Sequence, residues 1–170
     1  MAITLEPVTI DNWRQVVALR VGAGQEHQVA PNTISLLQVH YGLGGELAHL
    51  TLVPLAICDG PTPVGFAMYN ETPEQDRFAI MRLMVDARHQ RRGYGRTAMT
   101  LLLDRFLAIP QATEVVIGHQ PDNDAAHQLY RSCGFTDLGP DDGETLMWRA
   151  LNPQPEVWTS LWNPAWFDRR

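Results

Sequence analysis

The chain has no lysine; all thirteen of its basic residues are arginine. This reads as a compositional habit, and it leaves the protein without an ε-amine of its own to be modified. Basic charge is also scarce beside acid, with nineteen Asp and Glu and a net charge of −6. That balance excludes a general nucleic-acid binder, whose affinity rests on basic surface, and is compatible with a cationic small partner. Cysteine is limited to Cys58 and Cys133. Two cysteines beside apolar segments make neither a disulfide framework nor paired metal-ligand spacing, so no metal is expected and the thiols read as buried and free. The opening Met1-Ala2-Ile3-Thr4-Leu5-Glu6 lacks the basic-then-apolar order of a signal peptide, and no apolar run reaches membrane-spanning length. The expectation is a cytoplasmic protein with no membrane partner.

What is present suits an ordinary globular domain: 170 residues, 45% hydrophobic and 19% charged, enough for a core that needs no staples. The pattern predicts a strand over 3–8, a helix capped by Thr9 or Asp11 and running to 20, and a loop from 22 with a short helix at 35–41. Strands at 52–58 and 64–69 flank the Asp59-Gly60-Pro61 turn, and another strand covers 77–86. A helix over 94–108 stops before Pro110, and a short strand follows at 114–119. A helix capped by Asn123 and stopped by Gly134 precedes a hairpin around Asp142-Gly143. The fold class is α/β (α+β), with a mixed, mostly antiparallel sheet flanked by helices. Residues 1–151 form the domain. Residues 152–170 form a tail carrying Trp158, Trp162 and Trp166, whose aromatic area is expected to dock on the domain or across a homodimer.

The most telling stretch is Gln90-Arg91-Arg92-Gly93-Tyr94-Gly95-Arg96, between an apolar strand and an amphipathic helix. A strand, a basic turn with two glycines and a helix start offer main-chain N–H groups and partial positive charge to a phosphate. The three arginines complement the anion further. A Walker loop is excluded because no Lys-Ser/Thr follows, and a dinucleotide fingerprint because only two glycines are present. The implied ligand carries a pyrophosphate.

A second motif, Asn123-(x)6-Tyr130-(x)3-Gly134-Phe135, lies downstream. Together the two resemble the GNAT superfamily of N-acetyltransferases, closely over 77–138. The resemblance implies a splayed sheet and acetyl-CoA as cosubstrate. Its pantetheine would lie along Leu83, Met84 and Val85, its pyrophosphate on Gln90 to Arg96, and its arm against Asn123 and Tyr130. The family's general acid maps to Tyr130; a phenol with a pKa near ~10 is a workable donor to a thiolate whose conjugate acid lies near ~8.5. A main-chain N–H near Met84 or Val85, freed where strands diverge, is the candidate donor to the developing oxyanion.

Relatives often carry a basic carboxylate where this chain has Met81. His119 is then the local candidate for general base, because imidazole titrates near neutrality; a strand-end histidine with a satisfied hydrogen bond is the other reading. Glu26, Glu71, Glu74 and Asp76, with Glu46, are the candidate acidic lining for an amine. The segments 64–69 and 25–32 resemble the bacterial spermine/spermidine acetyltransferase branch, which makes a polyamine a candidate among small primary amines. An amino acid, an aminoglycoside, a protein amine, or acyl-CoA binding without turnover are the alternatives.

Overall fold

The protein is described by a computed structural model over residues 2–71 and 76–151. Glu74 and the tryptophan tail lie outside the described residues.

Strands β1 (Ile3–Pro7), β2 (Thr51–Asp59), β3 (Thr62–Glu71), β4 (Arg77–Val85), β5 (Glu114–His119), β6 (Thr136–Asp141) and β7 (Glu144–Ala150) form one sheet in the order β1-β2-β3-β4-β5-β7-β6. All neighbours are antiparallel except β4 and β5, which run parallel. Helices α1 (Trp13–Ala18) and α2 (Asn32–Tyr41) cover one face, where Val16 and Leu19 pack with Phe66, Met68 and Met84. Helices α3 (Tyr94–Leu107) and α4 (Asp124–Ser132) cover the other. There Met99, Leu102 and Phe106 meet Tyr69, Phe78, Ile80 and Val115, and Phe106 stacks on Phe78 at 4.9 Å. β3 is buried along nearly its whole length, as a central strand with helices on both faces must be.

Most predicted elements are found, with shifted ends. α2 starts earlier than the spacing suggests, at Asn32, and β6 runs on to Asp141. Thr9 and Asp11 do not cap α1: the N-cap is Asn12, whose side chain instead accepts from Thr9 N at 2.8 Å. The other cap reading holds. Asn123 Oδ1 accepts from Ala126 N at 3.1 Å, and α4 ends with Gly134 N on Arg131 O and Phe135 N on Tyr130 O. That pairing with a left-handed Gly134 is a Schellman stop.

Two features of β4 shape the site. Tyr69 pairs with Ile80 and Met68 with Arg82, so Met81 is an extra residue without a partner on β3, a β-bulge. On its other side β4 pairs with β5 only from Arg77↔Glu114 to Ile80↔Ile117. Beyond that point the strands part. The closed end of the V carries an ion pair between a partly exposed Arg77 and a buried Glu114, Nε to Oε1 at 2.9 Å.

At the open end, Asp86 is buried and ties the turn after β4 to the rest of the domain. It accepts from Arg20 N at 3.0 Å, from Arg88 N at 3.1 Å and from Arg88 Nε at 2.7 Å. Burial alone would raise its carboxyl; the Arg88 side chain and the two main-chain N–H groups outweigh this and hold it at about 2, below the ordinary 3.8. A depressed carboxyl stabilises the fold above its unfolded value, and the gain disappears as pH falls through the folded value. Asp86→Asn is therefore expected to lower the unfolding free energy by about 2 kcal/mol at neutral pH. In urea titrations that difference should shrink below pH 3.8 and vanish towards about 2; a difference that does not change with pH would contradict the assignment.

Candidate active site

The parting of β4 and β5 opens a cleft of about 1020 Å³. Its floor is β4 from Ala79 to Val85, one wall is β5 and the start of α4, and the turn before α3 closes one end. Leu83, Met84, Val85, Gln90, Arg91, Gly93, Tyr94, Gly95, His119, Asn123 and Tyr130 all line it, so most of the predicted residues share one cavity. Arg92 and Arg96 are exposed and do not line it.

At the turn, Arg91 (φ 61°) and Gly93 (φ 81°) both have left-handed backbone, the conformation from which anion-binding nests are made. Gly93 is the N-cap of α3 and has no side chain with which to cap it. The first-turn N–H groups of a fourteen-residue helix are thus left for a ligand. Tyr94 turns its hydroxyl away, donating to Asp59 Oδ2 at 2.7 Å. Gln90 has a different part from that expected of a phosphate contact. Its amide donates to Gln25 Oε1 at 2.9 Å and Val85 O at 3.1 Å, while Gln25 also accepts from Gly22 N at 2.8 Å. Gln90 therefore clamps the loop between α1 and α2 against the end of β4.

Along β4 the main chain that faced β5 loses its ladder after Ile80. Freed N–H and C=O groups in a cleft need partners, and an extended amide-bearing ligand supplies them as an added strand would. The divergence begins at Met81, earlier than the Met84 and Val85 expected from the sequence.

Tyr130 is buried, with its ring 6.0 Å from that of His119. Burial first, and then the charge of Glu144, push its phenol above the usual range and keep the hydroxyl protonated. His119 is also buried, but both ring nitrogens are engaged. Nδ1 lies 2.8 Å from Gln120 O, a pure acceptor, so it carries the proton. Nε2 lies 3.1 Å from His127 Nδ1, which in turn is 3.6 Å from Asp137 Oδ1. This leaves no imidazole lone pair directed freely into the cleft.

Among the described residues, the expected acidic lining is not assembled. Glu26 and Glu71 are exposed and, like Asp76, absent from the cleft walls. Among the described residues the carboxylates that line it are Asp141, Asp142 and Glu144, at the tip of the β6–β7 hairpin. Their position follows from register: His119 pairs with Thr145, which carries the hairpin tip to the mouth of the V. A Cβ on Gly118 would run into the Glu144 carboxylate, so that glycine makes room for Glu144 across β5. Arg82, next to the bulge, also faces the cleft. Sequence reading missed Glu144 and Arg82.

Residues 26–135 match the Acetyltransferase (GNAT) family. The chain belongs to that family. Its members are acyl-CoA-dependent N-acetyltransferases, and acetyl-CoA is their cosubstrate. The spermine/spermidine N(1)-acetyltransferase of Bacillus subtilis (strain 168) is 26% identical over 162 residues, covering 89% of this chain and 100% of its own. Human N-acetylaspartate synthetase is 29% identical over 92 residues, 54% of this chain and 30% of that one. Among solved structures, spermidine N-acetyltransferase from Vibrio cholerae, in complex with CoA and spermine, superposes with a TM-score of 0.67 at 15% identity, over 88% of this chain and 95% of that one. The single α/β domain with its seven-stranded mixed sheet is the GNAT fold. None of the described helices is long and apolar enough to cross a membrane.

The two glycines of this GNAT turn differ in what they tolerate. Gly93 has open space but a left-handed φ, whereas Gly95 is helical and a Cβ there would make ordinary contact with Leu129 at 3.4 Å and Val85 at 3.8 Å. Gly93→Ala should cost about 1 kcal/mol of stability and weaken acetyl-CoA binding, while Gly95→Ala should hold or raise stability. Denaturant melts and calorimetric titration of both variants check this; equal behaviour of the two would contradict it.

Proposed function

We propose that the protein moves the acetyl group of acetyl-CoA to the primary amine of a small molecule, by direct attack of the amine on the thioester. The observation that carries this is a single cleft holding an unpaired strand edge, a phosphate-type helix start and a buried protonated tyrosine. Leu83 to Val85 and the turn from Arg91 to Gly95 would hold the cosubstrate, with Asn123 beside its arm. When bound, acetyl-CoA supplies an activated carbonyl carbon.

The chain's own groups then have distinct tasks. Main-chain N–H groups at and after the Met81 bulge are fixed donors for negative charge on the carbonyl oxygen. Tyr130 Oη holds the proton that the departing sulfur needs. The attacking ammonium has to lose a proton first, and Glu144 is the carboxylate best supported as acceptor, since it lines the cleft and acts electrostatically on Tyr130. His119, with both ring nitrogens engaged, is a positioning group in this reading.

A polyamine acceptor is a second reading. It is supported by the Bacillus relative's name and by Asp141, Asp142 and Glu144 at the mouth of the cleft, where several cationic nitrogens could be met. The human relative is named for a product built on aspartate, so the family resemblance itself favours neither. Two free cysteines support a reducing, cytoplasmic location.

Incubation with labelled acetyl-CoA and an amine panel tests the main reading: acceptor-dependent release of CoA is expected, and its absence with intact acetyl-CoA binding would contradict it. Tyr130→Phe should lower kcat roughly 100-fold or more, leaving the acetyl-CoA dissociation constant nearly unchanged. An unaltered kcat would remove Tyr130 as the acid.

A further inference from the structure

Arg82 is a cation lining the cleft, and it has no part in the proposed mechanism. It sits on β4 directly after the bulge, with Nη1 donating to Met81 O at 2.6 Å and Nη2 reaching Gln38 Oε1 on α2 at 3.4 Å. Its Nε is buried and makes no hydrogen bond, and it belongs to none of the ion pairs among the described residues. Desolvation works against its charge, and among the described residues Glu144 is the anion that offsets this. Two of its five N–H groups go to Met81 O and Gln38 Oε1 and the Nε–H is closed off from the cleft, so one N–H on each Nη is left to meet a carboxylate end-on. The carboxylates of the β6–β7 hairpin line the same cleft, and Glu144 among them acts electrostatically on Arg82.

We infer that Arg82, with Gln38 beside it, seats a carboxylate of the acceptor, which is therefore an amino acid or close analogue whose amine lies a few bonds from that carboxylate. The ammonium end then faces Glu144, and the two ends of the ligand match the two signs of the site. A polyamine would bring only positive charge to Arg82, which discriminates against it. The inference rests on the acetyltransferase reading and decides against its polyamine variant.

The test uses the full chain, acetyl-CoA, the standard amino acids, the amines that correspond to them without the carboxylate, and spermidine. At least one amino acid should exceed its decarboxylated amine and spermidine roughly tenfold or more in kcat/KM. Arg82→Gln should raise KM for that amino acid roughly 10- to 100-fold, with little change for the decarboxylated amine or for acetyl-CoA. Preference for spermidine or another amine lacking a carboxylate would overturn the inference while leaving the acetyltransferase reading intact. An equal loss on both kinds of acceptor would overturn it too, because Arg82 would then act on the donor side. Transfer to no amine at all would overturn both readings. The wild-type preference needs no variant, so a poorly folded Arg82→Gln does not rescue the idea.

Discussion

The structure depends on one break in hydrogen bonding, at Ile80 on β4. On one side the strand takes in an extra residue, Met81, and then continues with β3; on the other it loses β5 altogether. Backbone amides and carbonyls in a protein cleft are obligatory hydrogen-bonding groups. A strand that stays paired with one neighbour and is abandoned by the other has a long run of them to satisfy. The bulge and the splay coincide, so the N–H groups proposed for an oxyanion and the open strand edge lie at the same point.

Keeping such an edge open requires the surroundings to be tied down, and the ties are polar. Asp86 gathers Arg20 and Arg88 beneath the turn, Gln90 and Gln25 clamp the loop after α1, and Asp59 holds the Tyr94 hydroxyl away. At the closed end of the V the Arg77–Glu114 pair ties β4 to β5. None of these groups needs to touch a ligand. They position the main chain that does, which is why a turn with three exposed arginines can be built around backbone N–H groups.

The donor side of the site was legible because it is local. A strand, a two-glycine turn and a helix are contiguous in sequence, and Asn123, Tyr130 and Gly134 sit on one helix and its stop. The cap of α1 was misread because Thr9, Asp11 and Asn12 are adjacent polar residues, and only backbone geometry decides which one caps. The charged lining proposed for the acceptor was not legible, because it is assembled by register. Glu144 reads as an ordinary hairpin residue until His119 is paired with Thr145 and Gly118 leaves space for its carboxylate. Glu26 and Glu71 look equally suitable as acids, yet they are solvated and away from the cleft. Arg82 was hidden by the bulge: one extra residue resets the alternation along β4, so its cleft-facing side chain cannot be counted from the strand's start.

The account stands or falls on whether the abandoned edge of β4 is the seat of acetyl-CoA. The direct measurement is a crystal structure of the protein with CoA bound. It should show the pantetheine amides paired with the main chain of β4 beyond Ile80 and the pyrophosphate on the N–H groups from Gly93 to Arg96. CoA bound elsewhere, with that edge still unpaired, would contradict it.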